Sequence, residues 1–390
     1  MCKADPFDGR PRCECTNDLL HSNIINNARF LGDALALTDE DVICCPPPLF
    51  HCFGLVMGFL GAFTRGCTIV FPSQQFDAGL IVDAVDAERC TVLHGVPTMF
   101  GAELDVLARQ GRKLTSLTRA LAAGAPVPPS MVKRLKEEMG IQSVIIAYGM
   151  TETSPVTFAT TVHDSYERRL TTVGKVFPHT KAKIIDLEGN TVPCGVPGEI
   201  CTSGYALQKG YLKNEAKTQE AMCRDDDGTL WMLTGDKGII DSEGYCQVTG
   251  RIKDMIIRGK LHPQYKRDRR LITARPGGEN IAPAEIEERL LSHESIVEAA
   301  VVGAPHHKYG EQVVAFVKLA EGASRPCDAD VAAWVREALA RHKSPAHTLW
   351  IGDDGVGNDF PKTASGKHQK HILRDIAVAL LRPNVERARL

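Results

Sequence analysis

From about residue 20 to 150, short apolar runs alternate with amphipathic helical stretches. Residues 91–95 (TVLHG) read as a buried strand, and Pro97 opens a helix covering Met99 to Ala108. Leu117 to Ala123 is the next strand and ends in the turn 124–129 (GAPVPP). Ser130 is placed to cap a helix from Met131 to Met139, which stops at Gly140, and Ile141 to Ala147 returns as a strand. This rhythm predicts a doubly wound α/β domain with a mainly parallel sheet covered on both faces. The most apolar stretch, Val42 to Phe63, contains Pro46, Pro47, Pro48 and His51. Three prolines exclude a spanning helix, so a buried strand, a turn and a helix are expected there.

The texture changes between about 170 and 250. Strand-like runs are punctuated by Leu187–Asn190, Pro193–Gly195 and Asp241–Gly244, all of turn composition. A small β-barrel is the expected architecture. After Asp254 a compact α+β unit follows: a helix at Pro283 to Leu291, strands near Val297 to Val302 and Gln312 to Leu319, and a helix at Ala329 to Ala340. The expected division is therefore a partial N-terminal domain (1–169), a β-barrel subdomain (170–252) and a mobile C-terminal domain (253–390).

Composition narrows the class. The 390 residues carry 46 basic and 48 acidic side chains, a formal charge of −2. No global field recruits nucleic acid or an anionic membrane, and a disordered polyelectrolyte is excluded. The 13 cysteines are odd in number and form no paired CxxC set. They read as reduced, buried small hydrophobes of an intracellular protein, against a disulfide scaffold or zinc site. The polar N-terminus lacks the apolar core of a secretory signal.

Four clusters carry candidate chemistry. Tyr148-Gly149-Met150-Thr151-Glu152-Thr153 follows a buried strand, where ligands bind in open parallel sheets, and a hydroxyl beside a carboxylate suits metal–phosphate contact. A capped strand-to-loop turn is the plain alternative. Residues 231–236 (WMLTGD) place Asp236 after Gly235, where a carboxylate can accept bonds from vicinal ribose hydroxyls; many hairpins carry the same pair. Residues 250–254 (GRIKD) sit at the composition change and read as a hinge or as a plain linker. Residues 361–367 (PKTASGK) are not a phosphate loop of the GxxxxGK kind, because Pro361 stands where Gly is needed. Lys367 could reach an anionic intermediate or simply be solvated.

The joint order of these strings resembles the adenylate-forming enzymes: acyl-CoA synthetases, firefly-type luciferases and peptide-synthetase adenylation domains. Residues 47–51 (PPLFH) and 123–126 (AGAP) agree, and the resemblance covers roughly Leu20 to Arg374. Its details, including 281–285 (IAPAE) and 360–363 (FPKT), are most similar to the medium-chain fatty acyl-CoA synthetases. The resemblance implies a two-step reaction. A carboxylate and ATP give an acyl-adenylate and pyrophosphate, and the thiol of coenzyme A then displaces AMP. It further implies that Gly124, Ala125, Pro126, Tyr148, Gly149 and Gly278 help to bind the nucleotide or acyl-adenylate. Thr151 would contact phosphate, Glu152 would hold Mg²⁺, and Asp236, assisted by Arg251, would bind the ribose. His51 would stand where the acyl pocket meets the thiol entry. Lys367 would supply charge as the adenylate forms, and the C-terminal domain would swing about Lys253. The implied partner is a small-molecule carboxylate, a fatty acid, without nucleic acid or a transmembrane segment. Two other readings stand beside it: a non-catalytic nucleotide- or acyl-binding remnant, and an adenylation enzyme that loads another thiol acceptor.

The chain departs from the family pattern twice. Where the family has a Ser/Thr/Gly-rich phosphate loop, residues 8–18 read DGRPRCECTND, and the upstream half of the domain has no counterpart. Open sheet edges are expected there. Between Gly259 and Gly278 stand residues 260–277, KLHPQYKRDRRLITARPG, with six basic side chains and one acidic. That segment is +5 and the remainder of the chain −7. It reads as a translated intron, ahead of a solvated loop insertion or a basic targeting patch, because GGT AAG codons at Gly259-Lys260 would hold a splice donor. Both departures predict little or no ligase activity for the chain as written. Ala388-Arg389-Leu390 fits a small–basic–leucine peroxisomal address.

Overall fold

The computed structural model describes residues 16–258, 279–306, 309–363 and 367–381, together with the backbone at 3–4 and 11–12. Gly278, segment 260–277 and the C-terminal tripeptide lie outside these residues. The chain divides into two compact units. One comprises Met1–Lys183, Ile200–Thr234 and Ile240–Gln247; the other comprises Ile184–Glu199, Gly235–Ile239 and Val248–Leu390.

The first unit is built on a seven-stranded sheet. Its order is Lys175–Val176, Val156–Ala159, Ser143–Gly149, Arg119–Ala123, Val92–Gly95, Val42–Cys44, Thr68–Val70. The five strands from Ser143–Gly149 to Thr68–Val70 run parallel, as the alternating pattern predicts, and the other two are antiparallel. Both faces are covered, so successive strand residues enter different cores. Leu93, Ala120, Ala122, Val144 and Ile146 join the core shared with helices Ala78–Ala87, Pro97–Gln110 and Pro129–Glu138. Val92, Leu121, Ala123, Ile145 and Ala147 join the core shared with helix His21–Ala34 and the π-helical turn Phe53–Leu60. Continuous apolar runs are thus demanded by two-sided burial.

Residue Ser130 does not cap its helix. Pro128 is the cap residue and Pro129 the first helical position of Pro129–Glu138. A proline lacks the N–H that would go unpaired there and already has helical φ, so the diproline sets the helix start.

The region expected to form a barrel is an open five-stranded sheet. Its order is Thr180–Ile185, Gly198–Gly204, Leu230–Ile240, Met222–Arg224, with Cys246–Arg251 paired to Leu230–Ile240. Closure needs the two edge strands to bond each other. Met222–Arg224 is three residues long, and its recorded ladder runs to Leu230–Met232.

In the second unit, Gly310–Leu319 pairs antiparallel with Ile296–His306 and parallel with His347–Trp350. Ala299, Val301, Val313, Ala315 and Val317 face one core with helices Pro283–Leu291 and Asp328–Ala338. Ala300, Val302, Val314 and Phe316 face the other, which includes Leu373 and Ala377 of helix Lys370–Leu381.

Of the ten described cysteines, Cys44, Cys45, Cys90, Cys201 and Cys246 are buried, whereas Cys194, Cys223 and Cys327 are exposed. Burial pushes the Cys45 and Cys246 thiols up to about 12, which keeps them protonated and inert. No described helix is long and apolar enough to cross a membrane.

Candidate active site

The first group of candidate residues gathers at the C-terminal ends of two neighbouring parallel strands. Ala123 and Ala147 are register partners, so Gly124 and Tyr148 follow them side by side. Gly124 and Ala125 are half-buried and Pro126 is exposed; Gly124 has φ +85°, in the left-handed region. The Tyr148 ring packs 6.1 Å from that of Phe158.

Gly149 cannot carry a side chain in this backbone. A Cβ there would stand 1.8 Å from the Pro155 carbonyl oxygen and 3.0 Å from the Thr157 nitrogen. The reason is a tight reversal: Met150 N–H donates to the Pro155 carbonyl at 2.9 Å, and the Thr153 hydroxyl donates to the same oxygen at 2.7 Å. Thr151–Thr153 forms a single 3₁₀ turn inside this loop.

Two distant segments hold the loop, one around Asn27 and one from Ala206 to Tyr211. Asn27, fully buried on helix His21–Ala34, clamps the following strand from both sides. It accepts from Val156 N–H at 3.0 Å and donates to the Val156 carbonyl at 2.7 Å. The Ser154 hydroxyl donates to the Ala206 carbonyl at 2.7 Å. Gln208 N–H donates to the Glu152 carbonyl at 2.9 Å, and the Tyr211 hydroxyl donates to the Glu152 carboxylate at 2.8 Å. The Glu152 carboxylate is therefore aimed as well as placed.

His51 and Cys52 enter from the start of the π-helical turn. Phe53 N–H donates to His51 Nδ1 at 3.1 Å, which assigns the imidazole proton to Nε2. The Cys52 sulfur lies 3.7 Å from Thr151 Oγ1 and 3.9 Å from His51 Nδ1. The structure thus links His51 to Thr151 through a cysteine that sequence reasoning passed over.

The second unit carries the other candidates. Gly235 has φ +71°, the bend expected before Asp236, and its N–H donates to Glu199 at 2.9 Å. Asp236 is buried and lies 3.4 Å from the Arg251 guanidinium, whose side chain is otherwise exposed. Lys253 is exposed on the 3₁₀ turn Ile252–Asp254. Lys367 closes a short loop: Thr363 N–H donates to the Lys367 carbonyl at 2.8 Å, and Lys367 N–H returns to Thr363 Oγ1 at 3.1 Å.

Below that loop sits a carboxylate the sequence did not single out. Glu298 lies 2.6 Å from Lys362 Nζ and 2.7 Å from His368 Nε2. Burial pushes its carboxyl up, but the His368 and Lys362 bonds outweigh that and hold it below the usual carboxylate range. A carboxylate whose two cation-forming neighbours lie 64 and 70 residues away leaves no local signal.

The residues at Thr151–Glu152 offer one carboxylate and one hydroxyl. That donor set fits Mg²⁺ shared with substrate phosphates and water, not an all-protein cage. Among the described residues no cluster of three or more His, Cys, Asp or Glu could hold a metal by itself.

Comparison with known proteins identifies the family. The sequence signature of the AMP-binding enzyme matches residues 19–212, and that of the AMP-binding enzyme C-terminal domain matches 285–367. The chain belongs to the AMP-binding, adenylate-forming enzyme family. The acyl-CoA ligase sidI of Aspergillus fumigatus is 50% identical over 93% of the chain, which spans 59% of that protein. The acyl-CoA ligase cnsG of Penicillium expansum is 48% identical over 93% of the chain, which spans 72% of it. The mitochondrial medium-chain acyl-CoA ligase ACSF2 of Danio rerio is 39% identical over 92% of the chain, at 55% of its own length. The chain thus spans about three fifths of most of these relatives. Among solved structures, ATP-bound MatB from Rhodopseudomonas palustris superposes with a TM-score of 0.76 at 29% identity, over 94% of this chain and 66% of that one.

Proposed function

We propose that this adenylate-forming chain is by descent an ATP-dependent acid–thiol ligase, with turnover reduced by the departures at 8–18 and 260–277. A carboxylate and ATP give an acyl-adenylate and pyrophosphate, and coenzyme A then takes the acyl group as a thioester and releases AMP. The observation that carries this reading is the clamped Tyr148–Thr153 reversal, with Glu152 aimed by Tyr211, inside a chain matched by both halves of the family signature. In this reading Gly124, Ala125 and Pro126 flank the adenine with Tyr148 and Gly149. Thr151 donates to phosphate. Glu152 holds Mg²⁺, which neutralises phosphate charge when bound. Asp236, beside Arg251, accepts from the ribose hydroxyls. Lys367 brings positive charge to the carboxylate and α-phosphate oxygens during adenylation. His51, neutral and oriented by Phe53 N–H, borders the acyl group, and Lys253 serves as the hinge residue.

The acyl substrate is a medium-chain fatty acid in this reading. Its support is the similarity to the medium-chain acyl-CoA ligases ACSF2 together with the strings shared with that branch. The test is calorimetric titration of the 390-residue chain with non-hydrolysable acyl-adenylate analogues, octanoyl against a dicarboxylic one, followed by carboxylate-dependent pyrophosphate exchange. Binding that favours the octanoyl analogue, and that falls at least about tenfold in Asp236→Ala, supports the assignment. Absence of binding by every analogue would remove it, and preference for the dicarboxylic analogue would remove the fatty-acid part.

A further inference from the structure

The C-terminal unit holds a half-buried ion cluster whose members meet at one carboxylate oxygen. Glu298 lies on Ile296–His306, next to an irregularity in the ladder with Gly310–Leu319. Its side chain is 14% exposed, and one carboxylate oxygen, Oε1, receives both Lys362 Nζ at 2.6 Å and His368 Nε2 at 2.7 Å. Lys362 and His368 are themselves bridged across the chain reversal, and Gln369 Nε2 donates to the Lys362 carbonyl at 2.8 Å. The ring of Phe360 packs 4.6 Å from that of His368 and closes the cluster from the side. Between the two cationic residues lie Thr363 and Lys367, joined by their reciprocal hydrogen bonds.

From this geometry we infer that Glu298 is a positioning residue for Lys367, acting by pinning both ends of its loop to the sheet. A lysine side chain samples many rotamer states, and delivery of its ammonium to one point costs that freedom. Glu298 removes most of the cost in advance, because it fixes residue 362 and residue 368 at the same oxygen. The ion pairs are half-buried, so their loss leaves partners only partly solvated. The inference rests on the reading of Lys367 as the adenylation lysine, but the cluster can be tested apart from it.

The experiment compares wild type, Glu298→Gln and Glu298→Asp in the full 390-residue chain. Competitive acetylation with mass-spectrometric readout measures Lys367 Nζ against Lys343, which is paired elsewhere with Glu285. Amide exchange is followed at Thr363, Lys367 and, as reference, Val314 and Phe316. In Glu298→Gln, Lys367 acetylation should rise by about threefold or more relative to Lys343, and the Thr363 and Lys367 amides should exchange about tenfold faster. The reference amides should not change, and Glu298→Asp should lie between. An unchanged Lys367 overturns the inference, and so does uniform acceleration that includes the reference strand, since that marks a purely structural role. In the enzymatic arm, pyrophosphate exchange should fall at least about tenfold while thioester formation from supplied acyl-adenylate keeps its rate; equal loss of both overturns the inference. If Lys367→Ala leaves pyrophosphate exchange intact, the reading of Lys367 fails, whereas the acetylation ratio still decides the part played by Glu298.

Discussion

Glu103 lies in the middle of helix Pro97–Gln110, fully buried, and neither carboxyl oxygen has a hydrogen-bond partner among the described residues. Burial alone pushes its pKa from 4.5 up to about 8. The folded state therefore keeps a proton that the unfolded chain gives up near pH 4.5. The stability tied to that proton is fully present below pH 4.5, declines as the pH rises, and is gone once the pH passes about 8. At about 1.4 kcal/mol per pH unit over the window between the two values, the wild type should lose about 4 kcal/mol between pH 5 and pH 9 through this group. Glu103→Gln replaces the protonated acid with a neutral side chain of similar shape. It should match the wild type within about 1 kcal/mol at pH 5 and exceed it by about 3 kcal/mol at pH 9. Urea unfolding followed by far-ultraviolet circular dichroism at the two pH values measures both differences. If the two proteins lose stability in parallel from pH 5 to pH 9, Glu103 is ionised or solvated in the folded chain and the reasoning is wrong.

His94 gives the mirror-image case. Burial drops it to about 3 and both ring nitrogens lack hydrogen-bond partners among the described residues, so folded His94 is neutral and stability is lost as the pH falls from 6.5 towards 3; His94→Leu should flatten that acid limb in the same urea titrations. Gly149→Ala must displace the Pro155 carbonyl, which stands 1.8 Å from the new Cβ, so the chain should lose about 2–4 kcal/mol and all acyl-adenylate binding, as read by thermal melts and calorimetry. Asn27→Leu breaks two buried bonds to Val156 and should cost about 2–4 kcal/mol in chemical denaturation; a loss below about 0.5 kcal/mol would count against the clamp. Tyr211→Phe removes only the hydroxyl on Glu152, so Mg²⁺-dependent binding of ATP should weaken about tenfold while the melting temperature moves by only a few degrees.

The strands and helices of the sheet domain were readable because burial on both faces writes itself into neighbouring residues. Leu93 and Val92, or Ile145 and Ile146, need no partner's identity to announce a covered strand. The Ser130 cap misled because a hydroxyl is a good cap in isolation, yet Pro128–Pro129 already dictates where the helix begins. The barrel expectation rested on strand count and turn composition, which say nothing about whether the edges meet. Tyr148, Thr151, Glu152 and Asp236 were visible as motif residues. Asn27, Tyr211 and Glu298 were not, because each acts on residues 59 to 129 positions away, across folds of chain that local pattern cannot follow.

The segmented make-up of the first unit also governs how the chain can be made. Its sheet is complete at Val176, but the unit takes in Ile200–Thr234 and Ile240–Gln247 as well. Tyr211, which aims Glu152, belongs to the first of these additions, and Asn17–Asp18 finds its strand partner only at Gly210–Tyr211. At the usual pace of synthesis, roughly 12–50 s separate the first residue from Gln247. While residues 177 to 211 are being added, the sheet's strands are all present but Glu152 and the Asn17–Asp18 strand still lack their partners. A nascent chain stalled or cleaved near residue 183 should therefore carry a sheet with an unaimed carboxylate and an unpaired strand, and should depend on chaperones more than the finished protein does.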